Sequence, residues 1–164
     1  MFQLKSGLIL GSYIDTLTEA PKQNKSTGRC GVNSKQQSVE MTPVGKVEVS
    51  SRDIPRHWSV SEVEGFLIVD EQYSEGLKGI QPGQRIAVLF YFHLSPAFSI
   101  SDLSQTPPHG DRKKGVFSIC SPLRPNPLGL SVLDVLDIDD NRIRVRGLDM
   151  LNGTPVLDIK PHIE

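Results

Sequence analysis

Cysteine is scarce: Cys30 and Cys120 are the only two, far apart in the chain. No Cys-x-x-Cys pair exists, which excludes a cysteine-type zinc site and a disulfide framework. A reducing, cytoplasmic compartment is therefore expected. Long hydrophobic runs are also missing. The longest fully apolar stretch is residues 86–92, far below the ~18–20 residues of a membrane span, so no transmembrane helix is expected. Neither sign of charge is in excess: 18 Lys/Arg against 19 Asp/Glu leave a formal net charge of −1. That balance excludes a strong nonspecific nucleic-acid binder, so any such binding has to be local. The phosphate-binding glycine signatures, His-Glu-x-x-His and Gly-x-Ser-x-Gly are all absent. His57, His93, His109 and His162 show no close ligand spacing, so no metal is expected.

What is present suits one small domain. A chain of 164 residues can bury a real core without staples. Its 14 Gly and 12 Pro punctuate it too often for long helices and favour strands and turns. Residues 21–40 are polar with little apolar periodicity, the composition of a segment that cannot bury enough surface to order itself. We expect residues 1–40 to be a poorly packed extension. Met41 opens the patterned segment and is the expected start of a domain over 41–164.

From there strands dominate. Val44, Lys46 and Glu48 alternate with Gly45, Val47 and Val49. Residues 65–69 and 115–119 read as short strands. Residues 86–92 read as a strand buried on both faces. Residues 130–138 fit a strand better than a helix, given their β-branched content. Asp139-Asp140-Asn141 is a turn cluster, and residues 142–146 alternate strictly, so the two segments form a hairpin. Residues 156–159 are a last strand. Only 60–64 and 70–77 suit short helical turns. The expected fold is all-β: a small closed or partly open β-barrel of six to seven strands with one or two short helices.

Two dense motifs lie in the last fifty residues. The first is Ser-Pro-Leu-Arg-Pro-Asn-Pro-Leu-Gly-Leu-Ser at 121–131. Its three prolines fix φ and delete three backbone donors, and each pushes the preceding residue toward extended geometry. The expectation is a stiff extended strap outside any ladder, presenting Arg124 and Asn126. Arginine offers a planar fork to a carboxylate or phosphate. Asparagine carries both donors and acceptors and can read an adenine edge. A rigid connection whose Arg and Asn satisfy nearby carbonyls fits equally well. The second motif is Gly-Leu-Asp-Met-Leu-Asn-Gly-Thr-Pro-Val-Leu-Asp-Ile-Lys-Pro at 147–161. Asn152-Gly153 signals a positive-φ turn, and Asp158 and Lys160 share a strand face. A merely decorated turn is the alternative. Tyr91-Phe92-His93 and Pro55-Arg56-His57-Trp58 are smaller polar-aromatic clusters. Trp58 is expected in the core, with one face able to stack a base. The run Arg112-Lys113-Lys114 reads first as a solvated basic loop.

Together the two motifs closely resemble the TsaA-like, or TrmO, family, and the resemblance extends from Pro43-Val44-Gly45 to Pro161. It implies an S-adenosylmethionine-dependent methyltransferase on a β-barrel, acting on the exocyclic amine of threonylcarbamoyladenosine beside the tRNA anticodon. It also implies a homodimer. The cofactor would sit among Pro55, Arg56, His57, His93, Leu94, Leu130, Asp149, Met150, Leu151 and Asn152. Many members have Arg in the triplet before Ser-Pro, where this chain has Cys120; Arg56 or Arg124 would then compensate. Longer members carry a further C-terminal domain suited to holding tRNA, whereas this chain stops at Glu164.

The chemistry asks for an amine held in line with a methyl–sulfur bond and for acceptors that receive its developing charge. Asn126, with its own carbonyl or that of Pro127, is the candidate acceptor. Arg124 could hold a carboxylate of methionine or of the threonylcarbamoyl group. Asp149 or Asn152 could bind ribose hydroxyls or the methionine ammonium. Two other classes compete: a non-catalytic S-adenosylmethionine or nucleotide sensor on the same barrel, and a purely RNA-binding β-barrel. The charge of −3 over 41–164 argues against the last.

Overall fold

Alternating apolar and polar residues make a strand that covers one face and wets the other. Among the described residues eight strands form: β1 (Gly45–Glu48), β2 (Glu64–Val69), β3 (Arg85–Tyr91), β4 (Ser104–Gln105), β5 (Lys114–Gly115), β6 (Leu128–Asp139), β7 (Arg142–Arg146) and β8 (Pro155–Pro161), of which β4 and β5 are two residues each and do not alternate. The structure is a computed structural model and describes residues 38–108 and 110–163. The expected extension over 1–40 lies almost wholly outside the described residues. Residues from Val39 onward cluster as one unit.

Six strands close an antiparallel barrel in the order β1-β2-β7-β6-β3-β8. The seam between β8 and β1 is short, pairing Gly45 with Val156 and Lys46 with Pro155. β4 and β5 form a separate two-stranded hairpin. The barrel interior holds Val47, Leu67, Ile86, Val88, Leu133, Val135, Ile143, Val145 and Val156. Each such side chain contributes about 1.5–3 kcal/mol on burial. Outside, three arginines of β7 meet carboxylates: Arg142 with Glu48 at 3.1 Å, Arg144 with Glu64 at 2.6 Å and Arg146 with Asp134 at 3.0 Å. The expected Asp158–Lys160 pair also forms, at 2.7 Å.

Strand direction decides where the loops go. Every pairing in the barrel is antiparallel. The ends of β1, β3 and β7 therefore share one barrel end with the starts of β2, β6 and β8. That end carries the connections 49–63, 92–127 and 147–154. The opposite end carries residues 70–84 and the tight β6–β7 turn, where Asp140 takes φ 53°. Both dense motifs and both polar-aromatic clusters thus come to one end of one barrel.

Several details depart from expectation. Residues 115–119 are not a strand: after β5 the chain makes a 3₁₀ turn at Val116–Ser118. Residues 60–64 are not helical: the turn is Trp58–Val60, and Glu64 already belongs to β2. The segment 70–77 does coil, as a 3₁₀ turn at Glu71–Leu77, and a further, unexpected turn at Ile100–Leu103 is opened by a capping box of Ser99 and Asp102. β3 is not buried on both faces. Ile86, Val88 and Phe90 point inward and Tyr91 is exposed, because among the described residues no layer of helices covers the outside of the barrel. The strap does not run extended and outside the ladder throughout: it bends through residues 122–126, and its last residues, Leu128 to Ser131, join the ladder as the start of β6, paired with β3. Proline fixes φ and leaves ψ free, so side chains that reach its carbonyls set its path.

Candidate functional site

The turn after β7 builds the first half of the site. Gly147 takes φ 96°, and the amides of Gly147 and Leu148 both donate to the Val63 carbonyl at 3.1 Å. Ser61 Oγ donates to the Leu148 carbonyl at 2.5 Å. These bonds lace the loop 49–63 to the loop 147–154. Leu148 and Met150 are buried in the core, which leaves Asp149 between them, half-buried and turned toward β6.

Ser131 Oγ donates to Asp149 Oδ1 at 2.6 Å, and Ser131 itself is wholly buried. The Asp149 carboxylate also accepts the backbone N–H groups of Trp58 and of Asp149 itself. Burial raises its carboxyl pKa above the usual range; the Ser131 bond, the two backbone bonds and the charge of His57 oppose that rise. Asp149, His57, Trp58 and the stretch of β6 around Leu130 thus form one cluster.

The neighbours of this cluster divide by what they can still offer. Asn152 Oδ1 accepts from the Val49 amide at 3.0 Å, so its oxygen ties the loop to the end of β1. Gly153 follows at φ 80°, as the turn signal required. Met150 turns its side chain into the core, whereas Leu151 and Leu130 are exposed. His57 stacks on Trp58 at 5.3 Å, and its Nδ1 lies 2.7 Å from Ser59 Oγ. The Arg85 guanidinium stands 5.7 Å from the same indole, so Trp58 is already engaged by both neighbours. Pro55 is half-buried, and Arg56 is exposed.

The strap builds the second half. The Phe92 amide donates to the Pro127 carbonyl at 2.8 Å, which sets the end of the strap beside His93 and Leu94. Ser95 Oγ donates to the Pro122 carbonyl at 2.9 Å. Gln105 does most of the holding. Its Nε2 donates to the carbonyls of Leu123 and Asp102, both at 2.7 Å, while its Oε1 accepts from Ser121 Oγ at 2.6 Å. The Asn126 carbonyl accepts from the Leu128 amide at 2.7 Å. Among the described residues, no hydrogen bond or ion pair engages the side chains of Arg124 and Asn126. None links them to Asp149, so the two halves share the barrel end without a polar contact. Cys120, at the position of the expected Arg, is exposed.

Ser131 and Gln105 are the residues that sequence reasoning missed. Ser131 stood in the motif as its last letter, and its inward direction follows only from its pairing opposite Val88. Gln105 carried no local signal for the strap, since the strap residues it holds lie 16 and 18 residues downstream. Among the described residues, no group of three or more His, Cys, Asp or Glu could hold a metal ion. No described helix is long and apolar enough to cross a membrane.

Comparison with known proteins extends this picture. Residues 47–164 match the family described as the tRNA-methyltransferase O N-terminal domain. An S-adenosyl-L-methionine-binding protein of Archaeoglobus fulgidus is 35% identical over 125 residues, covering 74% of this chain and 88% of that protein. The human tRNA (adenine(37)-N6)-methyltransferase is 40% identical over 87 residues, covering 53% of this chain but 20% of the enzyme. The crystal structure of TrmO from Pseudomonas aeruginosa superposes with a TM-score of 0.61 at 28% identity, covering 77% of this chain and 57% of that one. The chain thus spans little more than half of that solved chain and a fifth of the human enzyme. A match that begins within β1 and runs past β8 takes in all of the barrel but the first two residues of β1, and it makes this chain a member of the tRNA-methyltransferase O family.

Proposed function

We propose that this chain is an S-adenosylmethionine-dependent methyltransferase acting on the exocyclic amine of threonylcarbamoyladenosine next to the tRNA anticodon. The observation that carries the reading is the gathering at one barrel end of a half-buried carboxylate, Asp149, and two polar side chains, Arg124 and Asn126, that no other described residue engages. The relatives named as S-adenosyl-L-methionine-binding proteins and tRNA methyltransferases support it.

The residues suit the cofactor. Asp149 has one side-chain donor, so its oxygens keep capacity for ribose hydroxyls or an ammonium. His57 is near enough for its charge to act on Asp149, and Pro55 and Arg56 would join it from the same loop. Exposed Leu130, Leu151 and Leu94 offer apolar surface, with His93 beside Leu94. Met150 would contribute backbone groups, since its side chain is in the core, and Asn152 its side-chain NH2, since its oxygen is taken by Val49. When bound, S-adenosylmethionine supplies a methyl group on an already activated sulfonium.

Asn126 is the acceptor for the substrate amine. The carbonyls of Asn126 and Pro127 each already take a backbone N–H, which leaves the Asn126 side-chain oxygen as the open acceptor. It would hold the amine in line and receive its developing charge. Arg124 presents a planar fork to a carboxylate, either of methionine or of the threonylcarbamoyl group.

The test is transfer of label from S-adenosylmethionine to tRNA with and without the threonylcarbamoyl group. Label on the modified tRNA alone is the expected result. Cofactor binding without label on any tRNA would favour the non-catalytic sensor, a reading supported by relatives whose names stop at binding. The proposal includes a cytoplasmic homodimer, for which exposed Tyr91, Leu94, Leu130 and Leu151 supply apolar surface. Sedimentation giving a monomer at working concentration would reject the dimer.

A further inference from the structure

We propose that the β4–β5 hairpin and the turn after it form a docking surface for an RNA loop, with cations on its phosphates and Phe117 stacked on an unpaired base. The choice of RNA rests on the function proposed above; the surface itself rests on separate observations.

Among the described residues, two basic clusters stand out, and they differ in whether carboxylates cover them. Arg142, Arg144 and Arg146 on β7 are each bonded to a carboxylate. Arg112, Lys113 and Lys114 are exposed, and among the described residues no carboxylate pairs with them. Asp111, also exposed, precedes them and leaves residues 111–114 with a net charge of +2. Such cations are available to replace the counterions of a phosphate backbone.

Phe117 stands beside them, 77% exposed. Its direction is enforced. Val116 is buried, and Ser118 Oγ donates to the Gly115 carbonyl at 2.8 Å, closing the turn that carries the ring. Lys114 and Phe117 are at most ~10 Å apart along the backbone, within reach of one nucleotide's base and its flanking phosphates. An aromatic ring interleaved with cations is the arrangement that holds single-stranded nucleic acid, because every base has a face to stack. The competing occupant is a second copy of this chain, reached through Phe117, Leu103 and Ile100, all exposed. Like charge beside Phe117 on both copies opposes it.

The surface is also coupled to the strap. Gln105 pairs with Lys114 across the β4–β5 hairpin, and its side chain holds Ser121 and Leu123. An RNA loop seated on the hairpin would therefore lie on the element that positions Arg124 and Asn126.

The experiment measures binding of a stem-loop RNA by fluorescence anisotropy across a salt series, with the same stem as uninterrupted duplex for comparison. The triple variant Arg112→Gln, Lys113→Gln, Lys114→Gln should weaken binding roughly tenfold and flatten the log–log salt slope by about 2. Phe117→Leu keeps an apolar side chain but cannot stack like an arene; it should weaken binding roughly tenfold without changing the slope. The proposal is overturned if wild-type protein prefers the duplex or binds neither RNA. It is also overturned if Phe117→Leu binds as wild type while Phe117→Ser lowers the sedimenting mass, which would assign the face to a second copy. Methyl transfer is followed in parallel. Transfer by wild type with unchanged RNA affinity in the variants removes the docking surface and leaves the function. Stem-loop binding by wild type without transfer removes the function and leaves the surface.

Discussion

Ser131 and Asp149, eighteen residues apart in the chain, meet at the barrel end through a hydrogen bond of 2.6 Å. The serine is sealed inside, and burial raises the carboxyl pKa of the half-buried aspartate. The bond ties β6, which begins at the strap, to the turn that leads into β8.

A pH dependence follows from that pair. The folded-state pKa of Asp149 lies above its ordinary 3.8. The stability it contributes is therefore full below that ordinary value and is lost as pH rises through the raised one. Binding runs the other way, because an ammonium or a ribose hydroxyl needs the ionised carboxylate. Calorimetric titration with S-adenosylmethionine should show affinity falling as pH drops through the raised value. Ser131→Ala removes a donor to the carboxylate and should move that midpoint upward; Asp149→Asn should abolish the dependence. A flat profile in wild type would remove Asp149 from the cofactor site.

Asn126→Ala should reduce kcat by about 10²–10³, the usual cost of losing one donor or acceptor aimed at developing charge. Cofactor affinity and melting temperature should hold, because the side chain is exposed and bonds nothing else in the described structure. Full turnover in the variant would remove Asn126 from the chemistry.

Gln105→Ala frees the carbonyls of Leu123 and Asp102 and the hydroxyl of Ser121 together. The strap should loosen, lowering kcat while leaving the KM for cofactor near wild type. Gln105→Glu keeps the acceptor and loses both donors, so it should rescue little. Equal falls in both parameters and in thermal stability would mean that Gln105 only supports the fold.

Gly129→Ala is a test of packing. A Cβ at that position would stand 2.2 Å from the Phe90 ring, and Phe90 already packs edge-on against Phe92 at 5.0 Å. Overpacking of this kind costs about 1–3 kcal/mol. Thermal denaturation should show the loss, and adding Phe90→Leu should recover much of it.

Arg144→Gln removes an exposed ion pair with Glu64. Such pairs contribute about 1 kcal/mol or less, so stability should barely change. RNA affinity should not change either, since this arginine is already neutralised. A large loss of RNA binding would move the docking face from the hairpin to β7.

Much of the barrel was legible because strand chemistry is local. The alternation at 142–146, the turn at 139–141 and the positive-φ signal at Asn152-Gly153 each depend on neighbours a few residues away, and each formed as read. The misread segments share a cause. Residues 115–119 and the second face of β3 look apolar in sequence, yet what covers an apolar residue is decided by distant segments.

The sequence by itself determined the class of fold, most strand positions, the turns at 139–141 and Asn152-Gly153, and the two motifs that mark the family, since these follow from backbone propensity and side-chain period. Tertiary structure alone decided that the motifs share one barrel end, because antiparallel closure sends alternate loops to the same side. It also decided which polar groups remain free. The oxygen of Asn152 is engaged by Val49, 103 residues away, and the strap is held by a glutamine that no local pattern marks. Long-range register places those partners, and register exists only once the barrel has closed.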